Sequence, residues 1–268
     1  KIELTVQEPE PVVIPVPKKR GRKPRAKKGE PIDKELLDKV DLTTAVIRSQ
    51  KVIDRLPKER EKNLVLAPPY YLNNRKLFIN KLKDNFIISQ VNSLVHYESK
   101  ELFLGGTGSM ILDREKNICY AARSVRTDES VVLDFCKQLD YKPVLFSAFQ
   151  DVNSKRLPIY HTNVMMCVAK DFAVVCLDAI DSQIERANVI NSLEESNKEI
   201  IEISEFQANK FAGNMLQVKG DKLYLIMSKS AFESLSSLQI NKIRSYSEIL
   251  SVDLEMIEKC GGGSARCM

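Results

Sequence analysis

Between about residue 105 and Met268 one local pattern is written three times, and that repeat restricts the fold more than any other feature. "SMILD", "REKN" and "ICYAA" read as strand, turn and strand. "TDESVVLDFCKQL" follows as a helix with Thr127 as its expected N-cap, and "KPVLFSAF" as a strand. "NVMMCVAKDFAVVCLD" repeats the hairpin, turning at Ala169-Lys170-Asp171, before a helix in "DSQIERANVINSLEES" and a strand in "KEIIEIS". "NMLQVKGDKLYLIM" turns at Gly220-Asp221, a good hairpin dipeptide. Helices in "SKSAFESLSSLQINKIRSYS" and a strand near "EILSVD" complete the third unit. A ββαβ unit of this size leaves one face uncovered, so the units must stack on neighbours or close into a ring. Asp113, at the end of an apolar strand, reads as turn chemistry.

The rest of the chain is built differently. Residues 18–28, "KKRGRKPRAKK", hold eight basic side chains and no acid, so removing them from the net +5 leaves −3 for everything else. Electrostatic attraction to nucleic acid therefore belongs to this run alone. Residues 1–33 are Pro-rich and basic without periodicity, and are expected to be disordered. Within them "RGRKP" is close to an AT-hook core, with Arg20, Gly21, Arg22, Lys23 and Arg25 as candidate contacts to A·T-rich DNA. Lys23 before Pro24 departs from that core, and a solvated polybasic tail or nuclear-localisation signal is the other reading. Binding through one such hook would be weak and salt-dependent. Residues 34–100 are expected to be a helical segment of unknown role, amphipathic over 34–60 and again over about 74–86. The contrast between the halves, and Lys as the first residue, suggest a fusion or a fragment.

Composition narrows the class further. With 43% hydrophobic and 29% charged residues a globular core is within reach. No apolar run approaches the roughly 18 residues needed to cross a bilayer, so no membrane partner is expected. The six cysteines lie in apolar segments such as "MMCVA" and form no CxxC pair. That predicts reduced thiols in a cytoplasmic protein rather than a disulfide framework or a zinc site.

Four stretches carry a family likeness: "FLGGTGSMILDR" (103–114), "PIYHTNVMMCV" (158–168), "FAGNMLQV" (211–218) and the terminal "GGGSARCM". In this order and spacing they resemble the guanidino-group-modifying or amidinotransferase superfamily, in its citrulline-utilisation-hydrolase and arginine-deiminase-related branch, over residues 101–268. The resemblance implies an α/β fold, a propeller of ββαβ blades of which about three of five are present, preceded by the basic tail and short helices. It implies that Cys267 is the nucleophile and His161 the general acid/base, with Asn163 and Gly105 at substrate-binding positions. The implied substrate is arginine, citrulline or a related guanidino or ureido amino acid, with no metal and no cofactor. Relatives carry an acid where this chain has Gly105, and the resemblance therefore implies weakened turnover. Cys260 and His96 read as residues without a catalytic role. A second reading, from another class, is a non-catalytic scaffold whose basic tail grips nucleic acid.

Overall fold

The computed structural model describes residues 61–66, 87–152 and 154–267, all within the unit that runs from 33 to 268. The chain enters through β1 (Glu61–Leu66) and β2 (Ile87–Ser93), which pair in parallel. The described parts of segment 34–100 are thus these two strands and a short 3₁₀ turn, Val95–Lys100; the notable addition to the expected helical segment is the strand pair. A parallel ladder joins residues far apart in sequence, so local periodicity does not announce it. The helices expected over 34–60 and 74–86, the tail at 1–33, and Arg20, Gly21, Arg22, Lys23 and Arg25 lie outside the described residues.

Three ββαβ units follow. The first is β3 (Ile111–Asp113), β4 (Ile118–Arg123), α1 (Glu129–Leu139) and β5 (Lys142–Ser147). A separate hairpin, β6 (Phe149–Val152) and β7 (Lys155–Pro158), precedes the second unit. That unit is β8 (Met166–Val168), β9 (Phe172–Val175), α2 (Gln183–Glu195) and β10 (Glu199–Glu202). After a one-turn helix α3 (Glu205–Ala208), the third unit runs β11 (Leu216–Lys219), β12 (Leu223–Ser228), α4 (Lys229–Ser234), α5 (Ser237–Arg244) and β13 (Glu248–Val252). In each unit the first two strands are antiparallel and the third joins the second in parallel, across its helix. The fold is a partial α/β-propeller of ββαβ repeats, and the β1–β2 pair repeats the parallel half of one more unit.

Helix α1 begins one residue later than expected. The backbone of Thr127 exchanges hydrogen bonds with Ser124 (3.0 and 3.2 Å), and the cap falls to Asp128, whose Oδ1 accepts from Ser130 N at 2.9 Å.

The core follows from the two-residue period of the inner strands. Tyr120 and Ala122 on β4 point into a large cluster with Phe146, Phe172 and Met166. Cys119 and Ala121, on the opposite face, pack under α1 against Val131, Val132 and Phe135. Each fully buried large side chain contributes about 1.5–3 kcal/mol. Polar contacts then fix how the first unit sits on the second. Tyr120 Oη meets Ser192 Oγ at 3.1 Å, and Arg123 donates to Glu185 at 2.8 Å. Asp113 does accept the turn bonds expected of it, from Glu115 N and Lys116 N. Its other oxygen lies 3.0 Å from Lys198 Nζ in an ion pair whose side chains are 1% and 3% exposed.

Candidate active site

Short turns at the ends of the units carry the side chains that the motifs single out. His161 has an extended backbone and precedes a 3₁₀ turn, Thr162–Val164. Thr162 is fully buried; its Oγ1 accepts from Ala122 N (2.8 Å) and donates to Ser109 O (2.6 Å). One threonine therefore ties β4, the Gly106–Gly108 turn and the His161 segment together. The imidazole rests on glycines. A Cβ on Gly105 would stand 2.8 Å from Nε2, and one on Gly108 would stand 2.8 Å from Nδ1 and 3.1 Å from Cγ and Cε1. Real Cβ atoms do not approach so closely, so the absence of side chains makes the floor of the site. Nε2 is buried and has no hydrogen-bond partner among the described residues. Burial, and then the positive charge of exposed Arg126, hold the imidazole below its ordinary value of 6.5.

Cys267 comes from the opposite end of the chain. Helix α6 (Glu255–Gly261) is closed by Gly262 in the left-handed region, φ 63°, and the chain turns back through Gly263. A Cβ on Gly263 would lie 3.1 Å from Cys267 Sγ, so glycine is needed for this close return. Tyr160, adjacent to His161, donates to Gly262 O at 3.0 Å. Buried Ser264 donates to Glu258 (2.6 Å), which also accepts from Ser230 (2.7 Å). Two carboxamides then meet the sulfur: Asn163 Nδ2 and Asn214 Nδ2 each donate to Sγ at 3.3 Å. Burial, then the proximity of Cys267, push the Tyr160 hydroxyl up, and Arg126 acts the other way. Arg266 is held below its ordinary range by burial, with Arg114 adding like-charge repulsion.

The structure thus brings Cys267 and Asn163 into contact and sets Gly105 against the ring of His161. Cys260 is exposed on α6, and exposed His96 lies beside the Tyr97 ring at 4.2 Å. Burial pushes the Cys167 and Cys176 thiols up to about 11, far from the reactive range. Four site residues were not picked out individually from sequence: Gly108, Arg126, Tyr160 and Asn214. Asn214 lies inside "FAGNMLQV" and Tyr160 inside "PIYHTNVMMCV", so the motifs held the signal without a role attached. Among the described residues no group of three or more His, Cys, Asp or Glu could hold a metal ion. No helix among them is long and apolar enough to cross a membrane.

The sequence family described as N,N dimethylarginine dimethylhydrolase, eukaryotic, matches residues 56–268. The chain belongs to this family. The superfamily read from the motifs is therefore right, and the match begins at residue 56, so it takes in β1 and β2 as well. No curated protein sequence matches the chain. Among solved structures, the N-terminal domain of ArgZ, an arginine dihydrolase from Cyanobacteria, bound to substrate, is 21% identical with a TM-score of 0.56. That likeness covers 77% of this chain and 69% of the ArgZ domain. The same domain covalently bound to a reaction intermediate gives the same identity and score over 76% of this chain and 68% of that one. AgrE in complex with L-arginine is again 21% identical, TM-score 0.56, over 76% of this chain and 28% of its own length. At this identity these likenesses show that the chain shares a fold with ArgZ and AgrE, and no more.

Proposed function

We propose that this chain hydrolyses a C–N bond of a guanidino or ureido amino acid through a covalent intermediate on Cys267. The single observation that carries the reading is the pair of carboxamide N–H groups on Cys267 Sγ, from Asn214 and from Asn163, the latter two residues along the chain from His161. The sulfur attacks the planar central carbon. The thiol proton of Cys267 passes to the neutral imidazole of His161 as the C–S bond forms; the bond from that carbon to the leaving nitrogen then breaks, and His161 hands the proton to the departing ammonia or amine. Water, giving a proton back to the imidazole, then adds to the thiouronium carbon; the C–S bond breaks and the thiolate returns. Two N–H donors on sulfur suit the negative charge it develops in attack and carries after release. Exposed Arg126, whose charge reaches His161 and Tyr160, is suited to the carboxylate of an amino-acid substrate.

Family membership supports a guanidino compound such as dimethylarginine, and the arginine-bound relatives support arginine. The charged groups acting on Tyr160, His161 and Arg266 include Arg126 and Arg114, both cationic. Gly105 offers no acid to the unpartnered Nε2. We infer from this that turnover is at least about 100-fold below that of a relative with an acid there, the scale of lost acid/base assistance. A neutral ureido substrate such as citrulline suffers less than a cation. The test is ammonia and dimethylamine release from dimethylarginine, arginine and citrulline by this chain and by Cys267→Ser. Slow release that disappears in the variant supports the proposal. Equal, negligible release from both proteins favours the non-catalytic scaffold.

A further inference from the structure

The geometry points to Asn214 as the residue that sets the position and reactivity of the Cys267 sulfur, by bridging it to the segment that carries His161 and Asn163. The inference rests on the reading of Cys267 as the nucleophile. It starts from an amide whose every hydrogen-bonding group is in use. Asn214 is 2% exposed. Its Oδ1 accepts the backbone N–H of Arg266 at 3.0 Å, and its Nδ2 donates to Asn163 O at 3.0 Å and to Cys267 Sγ at 3.3 Å.

Those partners settle which way the amide faces. A backbone N–H can only donate and a backbone carbonyl can only accept, so Oδ1 must meet Arg266 and Nδ2 must meet Asn163 O. The second hydrogen on Nδ2 is then left for the sulfur. Asn214 can serve both protonation states of the cysteine. A thiolate accepts from Nδ2, and a thiol can turn its S–H towards Oδ1, at 3.7 Å. One side chain therefore joins residues 53 positions away on one side to residues 51 positions away on the other.

The backbone around Asn214 is arranged for this reach. Phe211 takes a positive φ of 64°, and Asn214 N closes the turn onto Phe211 O at 2.9 Å. Gly213 lies backbone against backbone on the turn that follows His161. A Cβ there would collide with Val164 O and stand 2.6 Å from Met165 C. Only glycine permits that approach, and the approach is what lets the next side chain touch both segments. The titratable and charged groups around this corner include Tyr160, His161, Cys167 and Arg266, with Arg114 and Arg126 acting on them, and substitution of Asn214 removes none of them.

The test reads thiol chemistry directly, so it does not depend on turnover of any guanidino compound. Full-length wild type, Asn214→Asp and Asn214→Ser are treated with iodoacetamide at pH 7, and alkylation is followed peptide by peptide by mass spectrometry. Asn214→Asp keeps the acceptor for Arg266 N but loses both donated bonds and adds a negative charge beside the sulfur. The shorter Asn214→Ser cannot bridge. Each variant should slow alkylation of Cys267 about tenfold, the size of one hydrogen bond to a charged group, while exposed Cys260 reacts unchanged as an internal control. A wild-type Cys267 rate in Asn214→Asp overturns the inference. Hydrogen exchange on the unmutated chain gives a readout that needs no variant to fold: the Arg266 amide should be protected, and free exchange there overturns the inference as well. Variant-sensitive alkylation without guanidino turnover would leave this inference standing and sink the proposed activity.

Discussion

Lys198→Met should cost this protein about 4 kcal/mol of stability, and the figure comes from one buried ion pair. Lys198 Nζ lies 3.0 Å from Asp113 Oδ2, off the line of a hydrogen bond, and its aligned donor goes to Lys170 O at 2.5 Å. The pair joins the β3–β4 hairpin of the first unit to the turn and strand of the second, with side chains 1% and 3% exposed. At that separation and an effective dielectric constant of about 20, the mutual attraction is about 5.5 kcal/mol. Methionine keeps most of the apolar stem, so little packing is lost. What remains is a carboxylate out of water with only the N–H groups of Glu115 and Lys116 to hold it. Stranding one member of a buried pair costs about 3–5 kcal/mol. With a urea dependence of about 2 kcal/mol per molar, the unfolding midpoint should fall by about 2 M. The double variant Asp113→Asn/Lys198→Met removes both charges and keeps the turn acceptor, so it should recover about half of the loss. A midpoint within about 0.5 M of wild type for Lys198→Met would refute the reasoning, since a stranded carboxylate cannot be that cheap. So would a double variant as unstable as the two single losses added, because the charges would then not be coupled.

His161, with its value below 6.5, should stay neutral to lower pH than free histidine. The unfolded chain then binds the proton first, so this contribution to stability is complete above about pH 6.5 and declines as pH falls toward the folded value. Unfolding midpoints of wild type and His161→Gln should converge under acid, and an NMR titration of His161 at or above 6.5 would contradict the burial argument. Arg126→Gln should move that titration upward, by the smaller of the two causes. Gly108→Ala places a methyl 2.8 Å from Nδ1, so the ring must move by more than half an ångström to reach ordinary contact. Turnover should fall about ten- to a hundredfold, and an unchanged kcat would remove His161 from the reaction. Any retention of the chain on A·T-rich duplex at low salt should disappear when residues 18–28 are deleted, because all the excess positive charge is there. Undiminished retention would assign binding to the acidic remainder and refute the charge argument.

The three units were legible in the sequence because each element carries its own signal. Ala169-Lys170-Asp171 and Gly220-Asp221 turn where they were read to turn, and "ICYAA", "FAVV" and "LYLIM" are inner strands. The β6–β7 hairpin was missed because charged Lys155 and Arg156 and a closing Pro158 mask its pattern; pairing and the bonds from Arg156 to Asp181 and Glu205 hold it instead. The candidate site was legible as residue types at motif positions, Cys267, His161, Asn163 and Gly105. Their relations were not. That Gly108 lies under the imidazole, that Asp113 finds Lys198, and that Asn214 faces the sulfur depend on how one unit stacks on the next. Hydrophobic periodicity encodes which face of a strand or helix is buried, and it reaches only a few residues along the chain. The contact between Asn163 and Cys267 spans 104 positions. No local pattern specifies a register over that distance; the packed interiors of three units do, by leaving each side chain one place to go.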